Sequence, residues 1–436
     1  MHNWIKGALA LSFYDFWLLS FPMEGNLVWN SETFNINYFL GTHIIALAII
    51  PIAYKNDIPE KLTKAGTVLL AFFTIIYPLV EGYQTYLLIF IGFLSAGTVI
   101  KIMSALNSSK KISLSIGIGL AIGNLLVVLL YYLPLSLFFK FLIISLALAS
   151  VVFFPSHFSS ETNLRDLKRY LPFIYVFYLI GGIFYGFLLS EYTKVAHVQG
   201  IELFFYVLFS LIGIYTTRKD KDSTLAIGIL LGMLSFSLIK IENPPLINLG
   251  MFSMQGALAL VDFFLIFAIL TSGCTVKAIC YGVGVMCMAL LSGNLITTFI
   301  SNAVTFLITV GNIILTISTL LFYFSGKKLR TTESIKPKEM QPEESVTLEE
   351  RVIEKPSSAE VLLSEKIEDI LSTYQKKFSP KEMEVLKLLL QRKTYKEIAK
   401  ELQISESSVK TYVKRISDKL NVHGKEGILN VLSKKP

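Results

Sequence analysis

The first 325 residues consist of apolar runs of about 17 to 25 residues, and these runs constrain the fold more than any other feature of the chain. A helix of roughly 20 apolar residues spans the ~30 Å hydrocarbon core of a bilayer. Mean hydropathy is +0.59 and 53% of the residues are hydrophobic, far above the norm for soluble proteins. The sequence predicts twelve spans, at 5–21, 36–54, 65–80, 83–106, 112–132, 134–154, 171–189, 200–217, 223–241, 247–271, 275–292 and 297–325.

Charges in the connections between these runs alternate between two sides. With the N-terminus in the cytoplasm, the cytoplasmic connections carry nearly all of the Lys and Arg, as the positive-inside rule requires. The opposite connections hold few cations beyond Lys194 and contain five glutamates: Glu24, Glu32, Glu81, Glu191 and Glu242. An even number of spans then returns the C-terminus to the cytoplasm. The sequence therefore predicts a multi-pass protein of the cytoplasmic (inner) membrane with both termini inside.

Four polar side chains stand out within the predicted spans, where contact with lipid is costly. Asp15 is in the first span, His43 in the second, Asn124 in the fifth and Asp262 in the tenth. We interpret them as the lining of a pocket for a ligand or ion, with the two aspartates as charged anchors. The alternative is that they form internal salt bridges or hydrogen bonds between helices.

The composition changes after residue 325. Residues 326–358 are rich in Pro, Glu, Lys, Ser and Thr, and they are predicted to form a flexible linker that cannot bury a core. Residues 359–377 are predicted to form a short amphipathic helix, because four apolar residues recur at helical spacing: Leu363, Ile367, Ile370 and Tyr374. This helix either pairs with a second copy or packs on the domain that follows.

Residues 378–436 have the charge and the helix signals of a DNA-binding domain. They carry 13 Lys and Arg against 7 Asp and Glu, an excess that favours binding to phosphates. Ser379 and Pro380 mark a helix start, as N-cap and first helical residue. Ser405 is predicted to cap a third helix whose outward face fits the major groove and offers Lys410, Thr411, Lys414 and Arg415. The alternative is that these residues form a protein-interaction module rather than a DNA-binding domain.

The segment from Phe378 to Val422 resembles the LuxR-type (GerE/NarL-class) helix-turn-helix of bacterial regulators. The matching elements are Phe-Ser-x-Lys-Glu-x-Glu-Val-Leu, Thr-Tyr-Lys-Glu-Ile-Ala-x-x-Leu, Ile-Ser-x-x-Ser-Val-Lys-x-Tyr-Val and Lys-Leu-x-Val. The resemblance implies four helices, the last at about 425–433 and often used for dimerisation. It also implies that Glu382 fixes the recognition helix. The DNA contacts that it implies are Lys410, Thr411 and Lys414 at the bases and Tyr412 at the backbone. Ser408 and Arg415 on the same helix complete the set of residues expected at DNA.

The membrane half resembles the six-plus-six layout of major facilitator transporters in topology, because a longer polar break, 155–170, follows the sixth run. The connection 55–64 lacks the Gly- and Arg-rich motif usual in such transporters, and this argues against active transport. The expected fold class is all-α. A twelve-span bundle over 1–325 is joined to a four-helix LuxR-type domain over 378–436.

This combination predicts a membrane-bound one-component transcriptional regulator, whose membrane domain senses a small-molecule or ion signal and controls DNA binding. The expected partners are double-stranded DNA, the lipid bilayer and a second copy of the chain on DNA. The alternative is a secondary transporter with a regulatory DNA-binding tail. The sequence contains no Ser-His-Asp order, metal-ligand cluster or phosphate-binding loop, so neither an enzyme nor a cofactor is expected.

Overall fold

The computed structural model describes residues 2–23, 25, 27–28, 34–160, 163–196, 198, 200–239, 241, 243–299, 309–321, 378–391, 393–402, 404–420, 422 and 428. The chain divides into two compact units, 1–337 and 338–436. The described residues of both units are helical and include no strand, which confirms the all-α class. The predicted linker (326–358) and amphipathic helix (359–377) lie outside the described residues.

The first unit contains one helix for each predicted apolar run. The helices are α1 Asn3–Ser20, α2 Ile36–Ala53, α3 Glu60–Ile76, α4 Gln84–Asn107, α5 Ile112–Tyr132, α6 Leu137–Ser150, α7 Leu164–Val195, α8 Glu202–Lys219, α9 Lys221–Ile239, α10 Pro244–Thr271, α11 Val276–Phe299 and α12 Thr309–Leu321. A single 3-10 turn extends α3 at Tyr77–Leu79, and another extends α6 at Val151–Phe153.

The prediction of twelve membrane spans is not confirmed, because eight of the described helices are long and apolar enough to cross a bilayer. These eight are α2 to α5, α7 and α9 to α11. The helices α6 and α12 are too short, and α1 is made less apolar by Lys6 and Asp15. Charged residues at both ends lower the hydropathy of α8, which begins at Glu202 and ends at Lys219.

Outward-facing side chains of these helices support a membrane environment. Large apolar residues are exposed along α2 and α3, among them Ile45, Ile49, Val68 and Phe72. Such a continuous apolar exterior is unfavourable in water and suits contact with lipid tails. The eight long helices and this exterior together identify the first unit as a membrane domain.

Aromatic rings fill the interior of the membrane domain. Trp17 on α1 and Phe39 on α2 are fully buried and pack edge to face, with ring centroids 6.3 Å apart. The Trp17 indole N–H donates a hydrogen bond to the Thr74 hydroxyl on α3 at 3.1 Å, so the polar edge of the ring is satisfied. The core therefore joins the first three helices around one tryptophan.

Glycines set the closest helix contacts. A Cβ atom on Gly293 of α11 would lie 2.5 Å from the Leu179 carbonyl oxygen and 2.9 Å from Gly182 Cα, both on α7. A Cβ atom on Gly92 of α4 would lie 2.4 Å from the Phe39 carbonyl oxygen on α2. A side chain at either position must push two backbones apart, so the small residues allow this packing.

We expect Gly293→Ala to lower the free energy of unfolding by about 1 to 3 kcal/mol, as overpacking of a tight contact typically does. Gly284→Ala on the same helix is the matched control, because its Cβ would lie 4.0 Å from the Leu47 side chain, an ordinary contact distance. Thermal melts of the two purified variants measure the difference. Equal melting temperatures would contradict the close approach of α7 and α11.

One end of the membrane domain is closed by hydrogen bonds between its connections. They join the α2–α3, α6–α7 and α10–α11 connections, and so link the two halves of the domain. The backbone N–H to carbonyl pairs are Val276 to Asn56 and Lys277 to Lys55 at 3.0 Å each, Ser159 to Cys274 at 2.9 Å, and Asn163 to Ser272 at 2.7 Å.

A buried lysine stabilises the same end. Lys101 on α4 is fully buried, and its ammonium donates to Glu60 Oε1 at 2.9 Å, the Phe154 carbonyl at 2.6 Å and Ser156 Oγ at 2.8 Å. Three acceptors match the three N–H donors of an ammonium group. Lys101 lies within the predicted span 83–106 but was not singled out there, and its partners lie 41 to 55 residues away in sequence.

The second unit contains three helices among its described residues: α13 Pro380–Leu390, α14 Tyr395–Glu401 and α15 Glu406–Leu420. Ser379 caps α13 in a capping box with Glu382, which confirms the predicted helix start, and Thr394 does the same for α14 with Glu397. The core is formed by Val385, Leu386, Leu389, Ile398, Val409, Val413, Ile416 and Ile428. Apart from Ile428 at 0% exposure, the predicted fourth helix (425–433) lies outside the described residues.

Candidate ligand cavity and nucleic-acid interface

A cavity of about 1000 Å³ lies between the two halves of the membrane domain. Its walls come from α1, α2, α4 and α5 on one side and from α7, α8, α10 and α11 on the other. It reaches the α1–α2 and α7–α8 connections, with Gly25, Phe34 and Gly200 in its lining. Within the described chain, no residue of the hydrogen-bonded connections at the closed end lines it. The cavity therefore extends toward the opposite end of the domain.

All four polar residues that the sequence placed in the spans line this cavity: Asp15, His43, Asn124 and Asp262. Asn124 Nδ2 on α5 donates to Asp15 Oδ2 on α1 at 3.0 Å. His43 Nδ1 on α2 lies 2.6 Å from the Ser95 hydroxyl on α4. The structure thus brings the four residues to one space and shows hydrogen bonds between helices there. Among the described residues, no Lys or Arg forms a salt bridge with either aspartate.

Asp262 on α10 is held by two tyrosines that the sequence did not indicate. The Tyr206 hydroxyl on α8 donates to Asp262 Oδ2 at 2.7 Å, and the Tyr178 hydroxyl on α7 donates to Oδ1. The carboxylate therefore links three helices of the second half at the cavity wall. The tyrosines lie 56 and 84 residues away in sequence, among many other aromatics, so sequence spacing carries no signal for them.

The cavity wall is acidic and rich in hydrogen-bonding groups. Its described lining contains three carboxylates, Asp15, Glu202 and Asp262, but no Lys or Arg. The Tyr192 hydroxyl donates to Glu202 Oε2 at 2.9 Å. No group of three or more His, Cys, Asp or Glu in the described part of the chain is placed to hold a metal ion. The wall is therefore suited to a polar molecule with positive charge.

The helix α15, which is the predicted recognition helix, separates an apolar inner face from a basic outer face. Val409, Val413 and Ile416 are buried in the core. Ser405 caps the helix as predicted, because its Oγ accepts the Ser408 amide N–H at 3.0 Å. The outer face is formed by the exposed side chains of Lys410, Thr411, Lys414 and Arg415, with Ser408 and Tyr412 half-buried beside them.

Neighbouring side chains orient this outer face. Lys410 pairs with Glu406 one turn earlier, at 3.0 Å between Nζ and Oε1. The Thr411 hydroxyl donates to the Ser407 carbonyl at 2.9 Å, and the Arg415 guanidinium lies 5.9 Å from the centre of the Tyr412 ring. All six residues expected at DNA therefore share one side of one helix. Their surface is exposed and positively charged, as contact with phosphates requires.

Glu382 joins the first helix of this unit to the recognition helix. Its buried carboxylate accepts the Ser379 amide N–H at 2.8 Å and the Lys419 ammonium at 2.7 Å. Burial alone would raise the pKa of Glu382, but the hydrogen bonds from Lys419 and Ser379 outweigh it and hold the pKa below its usual value. Glu382 thus contacts both α13 and α15, and its positioning role stays a prediction.

We expect Glu382→Gln to destabilise α13 to α15 by about 1 to 2 kcal/mol, because it weakens the cap and removes a charge-assisted hydrogen bond. Glu384→Gln is the matched control, since its pair with Lys381 at 2.7 Å is exposed and contributes little. Amide hydrogen exchange of these helices in the full-length protein measures the two effects. Equal loss of protection in both variants would contradict the positioning role.

The same carboxylate makes the domain sensitive to acid. Because the folded-state pKa of Glu382 is lowered, its stabilising contribution is present above the ordinary carboxyl pKa of about 4.3. The contribution is lost as the pH falls through the lower, folded-state pKa. We expect hydrogen-exchange protection of α15 to decrease over that acidic range, and to decrease less in Glu382→Gln.

Comparisons with known proteins agree with both units. Residues 376–431 match the family described as bacterial regulatory proteins, luxR family (GerE). The fold resembles the crystal structure of a Major Facilitator Superfamily transporter, FucP, in the outward conformation, with a TM-score of 0.50 and 12% identity over 74% of this chain and 99% of that one. It also resembles an outward-facing bacterial homologue of the iron transporter ferroportin, with a TM-score of 0.52 and 13% identity over 74% and 97%.

At identities of 12% and 13%, these two likenesses concern the fold alone. A search of curated proteins finds no match to the chain. The family match and the two structural likenesses apply to different parts of the molecule. Residues 376–431 thus match the LuxR-family helix-turn-helix model, and the membrane domain that precedes them has a fold similar to that of major facilitator transporters.

Proposed function

We propose that this protein is a membrane-bound one-component transcriptional regulator, in which a signal bound by the membrane domain controls DNA binding. One observation carries the proposal: a LuxR-family DNA-binding domain and a membrane domain whose large, mostly apolar cavity also carries polar side chains lie on a single chain. The DNA-binding domain responds to a signal in the membrane domain only if the two domains are coupled. Ligand binding must therefore favour one conformation or self-association state of the membrane domain over another.

In this proposal, α15 enters the major groove. Lys410, Thr411 and Lys414 contact base edges, while Tyr412, Arg415 and Ser408 contact the backbone. The exposure of the four outermost side chains and the basic excess of the domain support this assignment. Two copies of the chain bind two half-sites as a homodimer. Because both copies lie in one membrane, each DNA-binding domain has a raised effective concentration near the other.

We further propose that the protein lies in the inner membrane with both termini in the cytoplasm. The connections at the closed end of the membrane domain carry cations, including Lys55 and Lys277, as cytoplasmic connections do. The cavity then opens away from the cytoplasm, toward an external signal. In this layout, residues 1–325 form the sensor domain and residues 378–436 form the DNA-binding domain. The linker (326–358) and the amphipathic helix (359–377) connect them.

Transport is the second candidate function, and the likeness to two transporter structures favours it. A transporter would move its substrate through the cavity by opening the end that hydrogen bonds now close. Uptake into sealed vesicles separates the candidates. A regulator binds its ligand without accumulating it, whereas a transporter accumulates it inside.

RNA sequencing tests the regulatory function directly. Cells carrying the wild-type chain are compared with cells carrying Lys410→Ala/Lys414→Ala, which leaves the membrane domain unchanged. We expect a small set of transcripts to change in the variant. Identical transcript profiles under all tested growth conditions would contradict the proposal.

A further inference from the structure

We propose that the cavity binds an organic cation with several N–H donors, such as an ammonium or amidinium group attached to an apolar body. This inference rests on the proposed sensory function and names the chemical class of its ligand. It depends on three properties of the cavity wall: two carboxyl groups without a cationic partner, an unsatisfied acceptor and an apolar, aromatic remainder.

The first property is charge. Asp15 is buried and Asp262 is half-buried; both line the cavity, and neither forms an ion pair with any Lys or Arg in the described chain. Their protein partners are neutral: an amide for Asp15 and two phenols for Asp262. A buried carboxylate without a counter-charge is unfavourable, and a bound cation would supply that charge.

The second property is an acceptor with no donor. Asn124 is fully buried, and its Nδ2 donates to Asp15 Oδ2 and to the Leu120 carbonyl, both at 3.0 Å. Its Oδ1 has no hydrogen-bond partner among the described residues. This oxygen is itself buried and is reached only by a small movement of the side chain; together with the adjacent Asp15 carboxylate it then forms a pair of acceptors for one group with several N–H donors. An ammonium has three such donors, whereas a quaternary or simple metal cation has none.

The third property is size and apolarity. A volume of about 1000 Å³ suits a molecule of drug size and greatly exceeds what an inorganic ion fills. The wall also contains aromatic rings, including Phe39, Tyr14 and Tyr206. Ring faces attract organic cations, and apolar walls favour an apolar body. These features favour an amphipathic amine over a sugar, an anion or a metal ion.

The position of the two carboxylates suggests how such a ligand acts. Asp15 belongs to the first half of the membrane domain and Asp262 to the second, where it also links α7, α8 and α10. A cation between them is attracted by both halves. Its binding therefore favours conformations in which the halves approach each other across the cavity, and this shifts the population of the membrane domain.

A matched pair of dyes tests the ligand class. Rhodamine 123 is a cation with amino N–H groups, and fluorescein is an anion on the same xanthene core. Fluorescence anisotropy follows their binding to the full-length protein in nanodiscs of zwitterionic lipid. We expect saturable binding of rhodamine 123, and no saturable binding of fluorescein.

Isosteric variants assign the binding to the carboxylates. We expect Asp15→Asn/Asp262→Asn to weaken rhodamine 123 binding at least tenfold and Asp262→Glu, which keeps the charge, to retain it. Asp222→Asn is the control: Asp222 also accepts a tyrosine hydroxyl, from Tyr170 at 2.8 Å, but it does not line the cavity. Size-exclusion profiles of all variants exclude misfolding as the cause.

Three results would overturn the ligand class: no saturable rhodamine 123 binding, equal binding of fluorescein, or equal binding to the wild type and the double Asn variant. None of them decides whether the protein regulates transcription, because DNA occupancy in cells is measured separately. Loss of DNA occupancy would overturn the regulatory function whatever the dyes do. A failure of the proposed ligand class and a failure of the proposed regulatory function are thus distinguishable.

Discussion

Replacing Lys410 and Lys414 together with alanine is expected to lower the affinity for duplex DNA by about 30- to 1000-fold at physiological salt. Both side chains are exposed on the outer face of α15. A lost contact to a base costs about 1 to 3 kcal/mol, and each lost phosphate contact reduces the slope of log K against log salt by about one. Anisotropy of a labelled duplex, titrated with full-length protein in nanodiscs at several salt concentrations, measures both quantities.

The matched control is Lys381→Ala/Lys387→Ala, which removes the same charge from exposed positions on α13. We expect this pair to change DNA affinity by only a few-fold, because its lysines lie outside the recognition helix. An equal loss of affinity in the two double variants would show a general effect of net charge. It would also contradict the assignment of α15 as the DNA-reading element.

The second large effect is expected in the membrane domain, where Lys101→Met should lower the free energy of unfolding by about 2 to 4 kcal/mol. Methionine fills a similar volume but leaves the Phe154 carbonyl and the Ser156 hydroxyl without their donor. Lys64→Met is the control, because Lys64 pairs with the same Glu60 oxygen at 3.2 Å but is 41% exposed. Thermal melts should separate the two variants clearly, and equal melting temperatures would contradict the role of Lys101.

Lys101→Met should also loosen the closed end of the domain. Cys274 reports on this end, because its amide and carbonyl are both hydrogen-bonded to Ser159 and its thiol is fully buried. Burial raises the pKa of the Cys274 thiol to about 12, so the reactive thiolate is scarce at neutral pH. In a Cys280→Ala/Cys287→Ala background, we expect faster maleimide labelling of Cys274 in Lys101→Met than in Lys64→Met.

The DNA-binding domain was predicted well from the sequence, because the sequence signals of its helices are local. Ser379 and Thr394 cap their helices through residues only three positions away, and Ser405 accepts an amide from the residue three positions on. The apolar stripe of α15 follows from helical spacing alone. The dimer, the amphipathic helix at 359–377 and the individual DNA contacts remain predictions.

The membrane domain was predicted less completely, because its decisive contacts are distant in sequence. The cost of polar groups in lipid indicated Asp15, His43, Asn124 and Asp262, which all line one cavity. The two tyrosines that donate hydrogen bonds to Asp262, Tyr178 and Tyr206, could not be found in this way, since tyrosines are common in apolar runs. The number of spans is not confirmed, because runs such as α6, with 14 helical residues, form shorter helices than the eight that are long and apolar enough to cross a bilayer.

The most direct test of the central claim is DNA occupancy by the full-length protein in cells, measured by crosslinking and sequencing from the membrane fraction. The proposed function predicts discrete peaks that share a sequence motif and disappear in Lys410→Ala/Lys414→Ala but persist in Lys381→Ala/Lys387→Ala. Absence of specific peaks across several growth conditions would contradict it, and transport through the cavity would then be the function to test.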